Sequence, residues 1–167
     1  MLVFYTFKKM KNKDNFFEEI RNGHTEAVQK MLADLPDLLN SKDDRGSTPL
    51  ILAAYYNHID IIALLIERGA KIDDKDSSGN SALMGACFKG FTEVVKQLIA
   101  NGANVNERNA MGATSLIYAA TFKRPDIAKL LLTHGADIAI KDGRGNSALD
   151  HAKMQGNPEL IDLLSVV

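Results

Sequence analysis

The sequence predicts an all-α solenoid, a stack of helix-turn-helix units joined through hairpin or loop tips, on three observations. Gly46, Gly79, Gly112 and Gly145 follow one another at intervals of 33 residues. Gly69, Gly102 and Gly135 repeat with the same period, each followed by an alanine (Ala70, Ala103, Ala136). Between the two ladders, signals that start and stop helices recur in a constant order. Self-similarity at such a fixed period is the mark of a repeat architecture, in which each unit is one supersecondary motif.

Each element of the period has a physical role. Two residues beyond each glycine of the first ladder stands Thr48, Ser81, Thr114 or Ser147, residue types whose side-chain oxygens cap helix N-termini. Pro49 then takes a first helical position, where its missing N–H costs nothing. Small pairs follow at Ala53-Ala54, Ala86-Cys87 and Ala119-Ala120, about one turn into a short first helix that a neighbouring helix must approach closely. Asp60, Glu93, Asp126 and Glu159 open a second helix and complement its positive end, with Pro125 and Pro158 just before two of them. Its apolar face is Ile61/Ile62 with Leu64/Leu65, Val94/Val95 with Leu98, Ile127 with Leu130/Leu131, and Leu160/Ile161 with Leu163/Leu164. Gly69 and its equivalents fall where a helix C-terminus takes a left-handed residue. Helices of roughly eight to ten residues are marginal alone in water. Each pair must therefore bury its stripe against the pairs on either side, and polar or atypical units are needed at both ends.

The stretch Asp43-Asp44-Arg45-Gly46-Ser47-Thr48-Pro49-Leu50, with Ala53-Ala54, His58 and Gly69-Ala70, resembles an ankyrin repeat. Asn101-Gly102-Ala103-Asn104-Val105-Asn106 and His134-Gly135-Ala136-Asp137 repeat the loop signature of that family, and the resemblance covers nearly the whole chain. It implies an ankyrin-repeat solenoid of five units, two of them caps. Residues 1–13 are expected to form a flexible N-terminal segment and 14–167 a single domain: an N-terminal capping repeat at 14–45, internal repeats at 46–78, 79–111 and 112–144, and a C-terminal capping repeat at 145–167. In the first unit Gly23-His24-Thr25-Glu26 echoes Gly90-Phe91-Thr92-Glu93, while Leu35-Pro36-Asp37 replaces the glycine loop. In the last, Lys153 and Ser165 replace apolar or small residues of inner repeats, and Asp162 stands where they hold Ala63, Lys96 and Lys129. The family usually places a histidine after Thr-Pro-Leu to brace neighbouring turns. Here that position holds Ile51, Met84, Ile117 and Asp150, so the resemblance does not supply the brace.

Composition bounds the function. With 46% hydrophobic and 25% charged residues among 167, the chain matches a globular protein with a real core. A formal net charge of -1 gives no global field to draw in nucleic acid. The single cysteine, Cys87, fits a reducing compartment and makes the cytoplasm the default location. Met1 to Phe7 is apolar but too short to span a bilayer, and its charges follow the apolar run, the reverse of a secretory signal. Lys8, Lys9, Lys11 and Lys13 offer an alternative reading as a membrane-surface tether, set against an ordinary solvated terminus.

Chemistry-bearing motifs are sparse. His24, His58, His134 and His151 lie in different repeats without metal-ligand spacing, so no metal or cofactor is expected. His151, beside a core alanine, is placed to contact the neighbouring repeat. Cys87 reads as a small buried hydrophobe, and Gly143-Arg144-Gly145 as a repeat tip and not a phosphate loop. Asp43-Asp44, Asp73-Asp74 and Glu18-Glu19 fall at loops or surfaces, where solvation explains them better than acid–base work.

What remains is a recognition surface. In such a stack the tips and the exposed end of each first helix are not needed for folding. The helix-end pairs are Tyr55-Tyr56, Phe88-Lys89, Thr121-Phe122 and Met154-Gln155, so every pair holds an aromatic or methionine. Aromatics dominate interface centres because they bury much area with few rotamers. The candidate partner-binding residues are Arg45, Tyr55, Tyr56, Ser78, Phe88, Lys89, Met111, Phe122 and Arg144, with Arg45, Lys89 and Arg144 as a rim selecting an acidic segment. The expected function is a non-catalytic protein–protein interaction module (adaptor, inhibitor or regulatory subunit), monomeric on its own and without membrane insertion. The alternative is a catalytic or small-molecule-binding protein on the same scaffold.

Overall fold

The structure is a computed structural model that describes the backbone of residues 2–165 and the side chains of residues 12–165. Among the described residues there are ten α-helices, one 3-10 helix and no strand. Five helix pairs follow in order: α1 (Leu2–Asn22) with α2 (Thr25–Asp34), α3 (Pro49–Tyr55) with α4 (Ile59–Glu67), and α5 (Ala82–Lys89) with α6 (Thr92–Ala100). The last two are α7 (Ser115–Thr121) with α8 (Pro125–Thr133) and α9 (Ala148–Met154) with α10 (Pro158–Ser165). The fold is thus an all-α repeat solenoid. Helix α1 runs across the boundary between residues 13 and 14, held by the buried Phe16, Phe17 and Ile20. The side chains of Lys8, Lys9 and Lys11, where the tether reading falls, lie outside the described residues.

Local chemistry accounts for the helix ends. Thr48, Ser81, Thr114 and Ser147 each accept the backbone N–H three residues on, an interaction worth about 1 kcal/mol at an N-cap. At the last unit Asp150 returns a bond to the Ser147 N–H and closes a capping box. In the first unit Pro36–Asn40 forms a 3-10 turn that buries Leu38 where the inner repeats have their glycine loop.

Packing then joins the pairs. One hydrophobic cluster runs from Phe16 to Leu164 without a break between units. Ala53, Ala54, Ala86, Cys87, Ala119 and Ala120 are fully buried, so the small pairs do lie where first helices meet. Leu65, Leu98 and Leu131 are likewise sealed and line the shared interior.

The tips are built by a ladder of side chains, of which only Asp43 is singled out by the sequence, as a solvated acid. Asp43, Asp76, Asn109 and Asp142 each turn one Oδ1 inward to accept two backbone N–H groups, two and four residues ahead. Asp43 is therefore a turn-forming acceptor, and Asp73 similarly receives the Asn104 N–H from the next repeat. Adjacent tips are tied by main-chain bonds: Ser77 N–H to Arg45 O, Ala110 N–H to Ser78 O, and Gly143 N–H to Met111 O. The contact is so close that a Cβ on Gly79 would lie 2.6 Å from the Ala110 nitrogen, and the residue has φ +78°. Only glycine meets both conditions.

The brace that the missing histidines would have given comes from elsewhere. Lys42 Nζ donates to Lys75 O at 2.7 Å, Lys75 Nζ to Arg108 O at 2.9 Å, and Arg108 Nη2 to Lys141 O at 2.7 Å, each across 33 residues. Charge-assisted bonds of this kind are the stronger sort. A cation in one repeat thus grips the main chain of the next.

The stacking interface sets stability. Leu98→Ala empties a sealed site in the central repeat and is expected to cost ~2–5 kcal/mol in urea unfolding monitored by circular dichroism. Lys96→Ala, on the exposed face of the same helix, should stay within about 0.5 kcal/mol of the parent. Equal effects of the two would show that the interior does not carry the fold.

Candidate binding groove

The first helix of each repeat ends beside the tip of its own unit, and the space between tips and helix ends forms a groove. Its main section encloses about 880 Å³ and brings together Arg45, Tyr55, Tyr56, Ser78, Phe88 and Phe122. A smaller recess of about 450 Å³ continues toward the C-terminus past Met111, Phe122 and Arg144. Of the nine residues singled out in the sequence, six lie in the main section. Met111 and Arg144 lie in the recess, Phe122 is shared by both, and Lys89 lies at the margin over Tyr55.

The aromatic rings touch one another from repeat to repeat. Tyr55 stacks on Phe88 with centroids 6.2 Å apart and planes at 13°, and Phe88 meets Phe122 edge-on at 4.6 Å. Tyr56 packs edge-on against Tyr55 at 5.5 Å. The strip nonetheless faces solvent: Tyr55 is 38% exposed, Tyr56 44% and Phe122 38%, while Phe88 is half-buried between them. Offset and edge-to-face pairs fix ring orientation, so the strip is preorganised. Met111 and Met154 extend the exposed apolar surface beyond it.

Charge around the strip is unevenly committed. Lys89 holds its ammonium 4.9 Å above the centre of the Tyr55 ring and 5.8 Å from that of Phe91, a cation–π contact. Arg21, from the capping unit, pairs with Asp43 at 3.3 Å. Arg45 and Arg144 are exposed and belong to none of the ion pairs among the described residues.

Sequence reasoning missed three residues of the site. Tyr118 lines both sections, stacks on Phe122 with centroids 5.9 Å apart, and bonds through its hydroxyl to Asn80 at 3.0 Å and to Asn109 at 3.2 Å. Burial pushes its phenol above the ordinary tyrosine range. Arg21 reaches the groove from a different unit. Gly85 lies in the wall inside α5. The available signal was the irregular series Leu52, Gly85, Tyr118, His151, in which one 33-residue position changes size at every step.

Titratable groups elsewhere are occupied structurally. Cys87 is fully buried, and burial pushes its thiol up to about 12, far from a nucleophile's range. His58 bonds to Arg21 O at 3.0 Å, His134 to Leu130 O at 2.8 Å, and His24 to Glu19 at 2.6 Å. Among the described residues no three acidic, histidine or cysteine side chains converge as metal ligands, and no helix is long and apolar enough to cross a membrane.

One arrangement resembles a catalytic relay: Thr121 Oγ1 lies 3.1 Å from His151 Nδ1, whose Nε2 lies 2.8 Å from Asp142 Oδ2. The hydroxyl of Thr121 also donates to Ile117 O at 2.7 Å. Asp142 meanwhile holds the last tip through Arg144 and Asn146. The chain of bonds links the last repeat to the one before it.

This linkage carries a pH dependence. Burial works against ionisation of Asp142, but the Asn146 N–H, the His151 ring and the Arg144 N–H outweigh it and hold the carboxyl below the ordinary aspartate range. A lowered carboxyl contributes stability above its unfolded value and loses it as pH falls through the folded one. Asp142→Asn keeps the turn acceptor, as Asn109 does at its own tip, but not the charge. In thermal melts between neutral pH and pH about 2, the advantage of the parent over Asp142→Asn should be greatest at neutral pH and close in the acid range. Parallel curves would overturn this.

Comparison with known families adds one finding. The family model described as ankyrin repeats (3 copies) matches residues 17–76 and 72–142, most of the chain between them.

Proposed function

Because the chain belongs to the ankyrin-repeat family, whose repeats are generally protein–protein interaction modules, we propose that it holds a partner protein in the aromatic groove as an adaptor, inhibitor or regulatory subunit. The observation that carries this reading is the contiguous strip Tyr55, Phe88 and Phe122, solvent-facing and fixed by ring-to-ring contact across three repeats. Rigid aromatics bury a large area at low entropic cost, and a preorganised face avoids the ordering penalty of binding. Nothing in the recognition requires a bond to be made or broken, and this type of fold is typically non-catalytic. Residues 14–167 act as one binding unit that is monomeric without its partner, and the lone, buried Cys87 suits the reducing cytoplasm.

The test is affinity capture from native lysate, with the parent beside the Tyr56→Ala/Phe88→Ala double variant, followed by titration of the captured protein. Loss of about thirtyfold or more in affinity is expected, the scale of a ~2 kcal/mol hot spot, with the helical circular dichroism spectrum unchanged. Capture of the same proteins at the same affinity by the folded variant would remove the groove as the site.

A further inference from the structure

We propose that Gly85 is the seat for a large apolar side chain of the partner, carried on an extended acidic segment that lies along the groove. This rests on the groove being the binding site proposed above.

Glycine at this position answers no need of the fold. It lies inside α5, in ordinary helical backbone and not at a left-handed turn. A Cβ built there would meet only Tyr55 Cδ2, at 4.0 Å, an ordinary van der Waals distance. Helix interiors pay for glycine in backbone entropy, so the residue weakens its own helix without relieving a clash. What it does is leave a gap in the wall. The counterparts 33 residues to either side are Leu52 and Tyr118, whose side chains line the same groove. Between them, Gly85 opens a notch beside Tyr55, Phe88 and Met84. A notch among rigid rings is what an anchoring side chain at an interface centre fills.

The charge around the notch selects the segment that bears the anchor. Asp43 and Asp76, the acids lining the groove, are engaged by turn N–H groups, and Asp43 also by Arg21. The face of Tyr55 that would attract a cation is already covered by Lys89. Asp76 keeps its negative charge, but Arg45 on one side and the Lys89 ammonium on the other outnumber it, so the charge not paired off around the groove is positive by one. A partner carboxylate next to the anchor meets Arg45 with complementary charge, which sets on-rate and specificity.

A displayed library of random twelve-residue peptides, selected on the folded chain, is the probe, and enriched peptides are synthesised and titrated. Enrichment of a large apolar residue flanked by Asp or Glu is expected. Gly85→Leu should weaken these peptides at least tenfold while the melting temperature holds or rises, and Arg45→Glu should weaken them at least tenfold at low salt. Gly85→Ala, which fills less of the notch, is the second variant and should give a smaller loss with the same thermal behaviour. A loss with Phe88→Ala but none with either Gly85 variant, or enriched peptides that are not acidic, overturns this inference and leaves the groove standing. Peptides indifferent to Phe88→Ala overturn both, and failure to enrich any peptide overturns the inference.

Discussion

Everything in this molecule depends on lateral burial between helix pairs that cannot stand alone. The inner helices α3, α5, α7 and α9 have only seven or eight residues, about two turns, and isolated helices of that length do not persist in water. Their side chains reach full burial only because a neighbour lies against them, as the sealed alanines at 53, 54, 86, 119 and 120 demonstrate. Small residues let backbones approach, and close approach in turn lets adjacent tips bond main chain to main chain. The groove is a product of the same constraint. Once the alanine faces and the leucine stripes are turned inward, the helix ends and the tips are the surfaces left to face outward together.

Much of this was legible in the sequence, because the physics that produced it is local. Capping hydroxyls, the first-turn proline, helix-opening acids and turn glycines act within four residues of their own position, so their order along the chain reports the elements directly. The aromatic strip was legible for a related reason: a period of 33 places the helix-end pairs Tyr55-Tyr56, Phe88-Lys89 and Thr121-Phe122 side by side in a stack. What failed to show was interaction between units. Lys42, Lys75 and Arg108 look like ordinary surface cations, and only the geometry reveals that each binds the main chain of the following repeat. Asp43 and Asp76 look like solvated acids, yet their oxygens face inward. The rim expected at Arg45, Lys89 and Arg144 is divided, since Arg144 borders the smaller recess and Arg21, from the capping unit, enters the main groove in its place.

Tyr118 shows how the two scales meet. Its ring belongs to the groove through Phe122, and its hydroxyl belongs to the tips through Asn80 and Asn109. A residue held at both ends transmits the position of the framework to the surface that would touch a ligand. The same connection exists between Thr121, His151 and Asp142 at the following junction. Recognition and framework are therefore not separable layers here, and residues that look like scaffold set the orientation of residues that look like site.

The cation spine also bears on how such a chain can change length over generations. Each grip spans one period, so removing or duplicating a segment of any other length would leave a lysine or arginine pointing at the wrong carbonyl and a tip out of step with its neighbour. Excising or copying whole periods restores every grip automatically. Lineages of this protein should therefore vary by entire units, with recognition surface gained or lost in matching increments.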